Sequence, residues 1–473
     1  MGRIINPNRF QINQIVMGIT KALTQWIADS TFLANGESLV LARSAVIDIV
    51  GCMIAGAKDE ATLCALEAVR ELGSGPASVV GFNDGLTAAH AALVNGTAAH
   101  ALDFDDNYHG NSSHATAVLA PALLALGEER GASGAAVLDA YIVGLEAMFI
   151  IGEGVNLAHY EKGWHTTSTI GTIGAAVSAA RLMKLDEAAI KNALSLGFSH
   201  ASGSKLQHGT MAKPFHAGMA AKNAIMAARY AEAGMTAVDE PLEAPWGFRD
   251  LYIGFDTSPG YQGVAELLSS PLAIERYGLQ VKIYPNCAGT HCAVDGVLHL
   301  MDEYGLSSDQ IGEIEAMVNK ISYDNLMFSN PRSEMEARFS MHYAIALAVT
   351  KGRLTRSDFS SEAISNKNIR AWLPRVKMSL SPIDDPLPTV DNGRSPAKVC
   401  IRTKDGRVLT KFVQHAKGVI QNPLSEEEMW SKFNDCVKDT IDASADETLR
   451  TMLSQFEDLE RVSDLMIILR QSS

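Results

Sequence analysis

Between Ile19 and Met235 the apolar residues recur at helical spacing, broken only by glycines and short polar turns. Several of these segments are apolar on nearly every face, and a helix without a polar face has to be enclosed by other helices. This part of the chain is therefore restricted to a large bundle. Ser38 to Ala55 reads as one helix, with Leu39, Leu41, Ala42, Ala45, Val46, Ile49 and Val50 on its apolar side. Ala88 to Leu102, Ala115 to Gly127, Gly134 to Gly152, Thr169 to Leu182, Ala188 to Gly197 and Ala217 to Gly234 continue the pattern. Aromatic residues make up only 7% of the chain while Ala and Gly are plentiful, which suits helix axes that approach closely.

The character changes near residue 275. Val281 to Pro285 reads as a short strand, and Glu313 to Tyr323 as another, with Ile314, Ala316 and Val318 alternating. Val399 to Val413 is the clearest hairpin, two alternating runs flanking Lys404-Asp405-Gly406. Helices return at Cys292 to Tyr304 and Ala337 to Val349. After Pro423 the chain is helical and charged, opening on Ser425-Glu426-Glu427-Glu428 with the look of a capped start. The expected fold is mostly α: a large all-helical domain over 17–274, a smaller α/β domain over 275–414, and C-terminal helices over 415–473 that return to the helical domain. Met17 opens the first helix, and residues 1–16 form a loose extension.

A formal charge of −14 over 473 residues argues against a nucleic-acid partner and against an anionic membrane surface. It leaves room for an anionic substrate, because a local group of lysines and histidines can invert the potential in one cleft. The six cysteines are scattered without zinc-type pairs, which fits free thiols in a reducing, cytoplasmic setting. The first residues carry no signal-peptide pattern, and Asn6 breaks the myristoylation signal that Met1-Gly2 begins. Apolar stretches are interrupted before they reach membrane-spanning length, so no transmembrane helix is expected.

Chemistry concentrates in one place. The run Ala99-His100-Ala101-Leu102-Asp103-Phe104-Asp105-Asp106-Asn107-Tyr108-His109, with His114 five residues on, sets three carboxylates and three histidines among apolar neighbours. Such groups are costly to bury unless they pair, bind metal or react. Three readings are open: metal ligation, acid–base catalysis in which an Asp orients a His, and helix capping with solvated histidines. The spacing fits no named metal motif.

Three further segments stand out. Lys162-Gly163-Trp164-His165 runs into hydroxyl residues at a helix start, where free N–H groups suit an anion. Lys213-Pro214-Phe215-His216 precedes a long apolar helix, with Lys213 either a surface charge or a carboxylate clamp and His216 a hydrogen-bonded core residue. Lys282-Ile283-Tyr284-Pro285 leads through small residues to Thr290-His291-Cys292, a second anion-binding geometry with Lys282, Tyr284 and His291 in reach. Cys287 and Cys292 read as packing residues. No phosphate loop, GxGxxG fingerprint or GxSxG elbow is present in the sequence, so a nucleotide cofactor is not supported. An inventory of His, Asp, Lys and Tyr suits proton transfer next to a carboxylate.

The four motifs, in this order and spacing, resemble the MmgE/PrpD family from about Ile19 to the C-terminus. The resemblance implies a helical domain with a smaller α/β lid, a homodimer, and an active site in the cleft between the domains. It also implies action on small di- or tricarboxylates without a nucleotide or iron–sulfur cofactor. The family's activities include 2-methylcitrate dehydratase, cis-aconitate decarboxylase and iminodisuccinate epimerase. Carried over by position, Asp103, His114, His165, Lys213 and Lys282 form the catalytic set. Asn107, His109, Tyr284, His291 and Tyr323 are the substrate-binding candidates. Ser113-His114-Ala115-Thr116 departs from the His-Pro-Ser-Asp of the methylcitrate dehydratases and is closer to the decarboxylase and epimerase branches.

The expected activity is a cofactor-independent lyase, with His114 or His165 moving the proton, Asp103 orienting and charge-balancing a histidine, and Lys213 and Lys282 holding carboxylates. Epimerisation of an amino- or iminodicarboxylate is the alternative. A non-catalytic carboxylate-binding protein and a metal-dependent hydrolase are readings from other classes.

Overall fold

The computed structural model describes residues 18–31, 34–255, 260–268, 271–382, 384, 387, 395–440 and 443–470. The expected extension over 1–16 and the helix start at Met17 lie outside them. The fold is a large helical domain with a smaller α/β domain. Two apolar cores account for this division. One gathers buried residues from Ile19 to Ile274 and takes in Phe433, Leu449, Leu453, Phe456 and Leu465 from the C-terminal helices. The other runs from Tyr284 to Ala416.

The helices Gly36–Gly56 and Gly134–Glu153 are long and apolar enough to cross a membrane by length and composition, although Arg43, Asp48, Asp139 and Glu146 interrupt them. Both are core helices, with 67% and 89% of their apolar windows buried. The helical domain also holds a small antiparallel ladder that the sequence reading missed, Ser74–Ser78 against Gly85–Leu86.

Close helix contact sets the geometry that matters later. The helices Ala88–Ala101 and Ala212–Glu232 cross where Gly96 meets Gly218. A Cβ on Gly96 would lie 2.9 Å from the Gly218 Cα, and one on Gly218 would fall on Leu93 O and Thr97 Oγ1. One turn beyond the crossing, the last turn of the first helix holds His100, with Asp103 just past its end, and the first turn of the second holds Lys213.

In the smaller domain the sheet order is Val376–Leu380, Ile311–Val318, Ala397–Thr403, Val408–Val413. The first pair is parallel and the other two are antiparallel. The helices His291–Glu303 and Met341–Lys351 pack together on this sheet. Buried residues alternate along Ile311–Val318 and Ala397–Thr403, as a half-covered sheet requires. Gly406 takes the positive φ (91°) that the hairpin turn needs.

Three local readings are corrected. Val281–Pro285 is not a strand; the strand is Leu279–Gln280, paired with Asn107–Tyr108. Beyond it Val281 N–H donates to Gly418 O, Pro285 has no N–H to give, and Asn286 N–H closes a turn on Tyr284 O. The strand read over Glu313–Tyr323 stops at Val318, because the Asn319 side chain caps the helix Lys320–Asn325. The helix read over Ala337–Val349 is two, Glu334–Arg338 and Met341–Lys351, the second capped by Ser340. The box of Ser425 and Glu428 opens Glu426–Val437 as the sequence suggests.

Gly218→Ala is expected to lower the free energy of unfolding by about 1–3 kcal/mol, since backbone on the facing helix cannot yield to the new methyl. Urea unfolding measures this, and an unchanged midpoint contradicts the close crossing.

Candidate active site

Asp103 is the first residue after the Ala88–Ala101 helix and its Leu102 cap, and it sits in the left-handed region with φ 49°. Glycine is the usual occupant of such a position, and an L-residue there costs roughly 1–2 kcal/mol. Its side chain is what the position uses. Lys213 Nζ lies 2.6 Å from Asp103 Oδ1, and Lys282 Nζ lies 3.3 Å from Oδ2. All three residues are buried. Burial alone would push the Asp103 carboxyl up, but the two ammoniums override it and hold it well below the usual carboxylate range.

The carbonyls at this helix end receive basic side chains from elsewhere in the chain. Arg338 Nε donates to Leu102 O (3.0 Å), Lys282 Nζ to Asp103 O (2.9 Å) and Lys432 Nζ to Phe104 O (2.8 Å). Cations there offset the negative end of the helix dipole. Lys432 also pairs with buried Asp48 at 2.5 Å. The two-residue ladder and the His109 Nε2···Gln280 Oε1 contact (3.0 Å) tie the same loop to the chain entering the smaller domain.

The expectation that Asp103 orients a histidine is corrected. Its partners are lysines, and the nearest histidine nitrogen, His114 Nε2, is 3.9 Å away. Asp105 is the carboxylate between histidines, 2.9 Å from His100 Nδ1 and 3.1 Å from His114 Nδ1. Burial holds His114 down at about 3, helped by the charges of Lys282, His100 and Lys213 and opposed by Asp105. At neutral pH its ring is uncharged. Asp106, buried and repelled by Asp48, is pushed up to about 8.

Asp103, His114 and the two lysines open on a cleft between the two domains. Asp103, Asn107, His109, His114, His165, Lys213 and Lys282 line it. His165 Nδ1 is 3.0 Å from His216 Nδ1, so one ring donates and the other accepts. Burial depresses both, His216 to about 4. His216 thus supports His165 from the adjacent helix, as its sequence position suggests.

Tyr284, His291 and Tyr323 are not among the lining residues. The Tyr284 hydroxyl donates to Asp295 Oδ1 at 2.7 Å, and the buried His291 ring stands edge-on to Tyr284. Tyr323 is exposed on its short helix. The smaller domain instead contributes Cys287, Asn325 and Phe339, and the helical domain adds Tyr160 and His208. Asn325 Nδ2 donates to the Tyr160 hydroxyl across the cleft at 2.8 Å, and Phe339 stacks on His208. The placement of His208 five residues before Lys213 was a signal in the sequence. Asn325, Phe339 and Tyr160 carried none.

His100, Asp103, Asp105 and His114 bring four donor atoms within 4.8 Å of one another, a metal-like grouping. Lys213 Nζ lies among them, 2.8 Å from His100 Nε2 and 2.6 Å from Asp103 Oδ1, where a cation would meet its charge. The donor set is therefore poorly suited to a metal ion.

The chain matches the MmgE/PrpD N-terminal domain over residues 21–258 and the MmgE/PrpD C-terminal domain over residues 284–458. It is 29% identical over 405 residues to the cis-aconitate decarboxylase of Mus musculus, covering 82% of this chain and 80% of that protein. The Homo sapiens protein of the same name is 29% identical over 398 residues, with the same coverage. A cis-aconitate decarboxylase of Aspergillus terreus is 22% identical over 96% of both chains.

Histidines held neutral by burial are expected to make the fold acid-labile. His114, His159 and His291 are lowered to about 3 and His216 to about 4, so between those values and 6.5 the unfolded chain binds more protons. Their contribution is present above the unfolded value and lost as pH falls through the folded ones. Asp106 works in the other sense, its contribution fading as pH rises through about 8. The thermal midpoint should fall on acidification below about pH 6.5, and Asp106→Asn should flatten the decline toward alkaline pH. A midpoint constant down to about pH 4.5 contradicts this account.

Proposed function

The chain belongs to the MmgE/PrpD family, and we propose that it is a lyase acting on a small di- or tricarboxylate, with decarboxylation of cis-aconitate or a close analogue as its reaction. The names of its relatives support the reaction class. The observation that carries the reading in the site is the placement of the His114 ring between Asp105 and the cleft. Its Nδ1 is engaged by Asp105 and by Asp106 O (3.0 Å), leaving Nε2 for a cleft that also presents Lys213 and Lys282.

Asp103 and Asp105 balance the two ammoniums before substrate enters. A substrate carboxylate brought to Lys213 and Lys282 adds negative charge beside His114 and raises its proton affinity. His114 thereby takes up a proton as the anion binds. In decarboxylation of an unsaturated acid the C–COO⁻ bond breaks, carbon dioxide leaves, and the electron pair shifts through the neighbouring double bond. The His114 proton then adds to the far carbon, and the ring returns to its neutral form. His165 on the same cleft gives a second acid–base group, which supports epimerisation as the second reading.

Proton NMR in deuterated water with citrate, 2-methylcitrate, cis-aconitate, iminodisuccinate and malate tests the proposal. Loss of carbon dioxide from cis-aconitate is the expected result. Deuterium entry with inversion and no loss of mass assigns an epimerase instead, and silence across the panel contradicts both. His114→Ala should lower kcat by ~10²–10⁴-fold with the fold retained, and near-normal turnover removes His114 from the role. Lys282→Ala should chiefly raise KM, and a loss confined to kcat would assign Lys282 to the transition state instead.

A further inference from the structure

We propose that Asp105 is a positioning residue that fixes the ring-proton arrangement of two histidines at once, His114 on the cleft and His100 behind it. The inference rests on the role given to His114 above, and extends it to two residues which that role does not include.

Asp105 and His100 are fully enclosed, so their hydrogen bonds must be met within the protein. His100 Nδ1 lies 2.9 Å from both Asp105 oxygens. A carboxylate only accepts, so Nδ1 carries the hydrogen and Nε2 is left as a lone pair. That lone pair faces Lys213 Nζ at 2.8 Å, and an ammonium only donates. Both ends of the ring thus demand the same tautomer. His114 obeys the same logic from the other side of Asp105. Its Nδ1 is 3.1 Å from Asp105 Oδ2 and 3.0 Å from Asp106 O, both acceptors, so its Nε2 is the basic atom.

One carboxylate therefore does two things. Together with the Asp106 carbonyl it turns the lone pair of His114 toward the cleft, and it turns that of His100 toward Lys213, which is held between His100 Nε2 and Asp103 Oδ1. An imidazolium forming on His114 would face the Asp105 charge directly, which is the arrangement that stabilises a protonated general base. The groups around His114 are all of known sign. Asp105 and Asp103 favour its protonation, while Lys282, Lys213 and the His100 ring at 4.3 Å oppose it.

Asp105→Asn is the discriminating substitution. The carboxamide has one acceptor and one donor end. His100 Nδ1 touches both positions and His114 Nδ1 touches one, so neither orientation offers acceptors alone. The tautomers are read by two-bond ¹⁵N–¹H correlation on the histidine rings. In the wild type both His100 and His114 should carry hydrogen on Nδ1; in Asp105→Asn His100, whose Nδ1 then meets a donor at one position, should gain the Nε2–H form, while His114 keeps the Asp106 carbonyl as an acceptor. With cis-aconitate, kcat should fall by ~10²–10⁴-fold with KM little changed. The alkaline limb of the kcat profile should move to lower pH, because the proton that His114 delivers is held less tightly once the imidazolium no longer faces an anion.

An Nε2–H form of either ring in the wild type overturns the proposal. So does loss of kcat in Asp105→Asn with wild-type tautomers and an unmoved pH profile, which marks a merely structural role. If the tautomers shift as expected but the wild type acts on none of the panel, the reading of the reaction fails while the positioning role stands.

Discussion

Two buried ammoniums on one buried carboxylate are the constraint from which the rest of the structure follows. Removing each ion from water costs several kcal/mol, and only close, well-made pairing repays it. Asp103 supplies that pairing, and its two partners come from different parts of the chain. Lys213 arrives because glycines let two helices cross without side chains between them. Lys282 arrives on the chain that enters the smaller domain, and its Nζ is also bonded to the Asp103 carbonyl. The site is complete only where the chain entering the smaller domain meets the helical domain. Arg338 and Lys432 extend the arrangement to the neighbouring carbonyls, so the helix end is held by four basic residues.

The electrostatics that follow bear directly on the proposed chemistry. Asp103 and Asp105 offset Lys213 and Lys282, and burial keeps the surrounding histidines uncharged. A site balanced in this way has no spare cation when empty. An entering carboxylate upsets the balance, and the nearest group able to restore it by taking a proton is a histidine. On this view substrate binding arms the acid, and the histidine need not be charged beforehand.

Much of the fold was legible in the sequence because helical periodicity, capping boxes and Asp-Gly turns are local signals. The alanine-rich helix ending at the acidic cluster and the hairpin around Gly406 are examples. What failed was set by distant partners. Val281–Pro285 has strand-like residues, but Gly418 and the pull of Lys282 into the domain seam decide its path. Seven of the ten candidate site residues line one cleft, since the motifs that carry them mark helix ends that converge. Tyr284, His291 and Tyr323 do not. Their positions near an anion-binding turn or on the smaller domain gave no information about which way the side chains face. The exchange of roles between Asp103 and Asp105 was equally hidden. Two residues apart in a cluster, they are distinguished only by the left-handed turn at Asp103, which sends one carboxylate to the lysines and the other to the histidines.

The measurement that tests the central claim most directly is proton uptake on anion binding. Calorimetric titration with a saturated tricarboxylate, which cannot lose carbon dioxide by the proposed route, is run at neutral pH in buffers of different ionisation enthalpy. The account predicts a binding enthalpy that varies with the buffer, reporting a proton taken up as the site fills, and loss of that dependence in His114→Ala. A wild-type binding enthalpy that is the same in every buffer would contradict it.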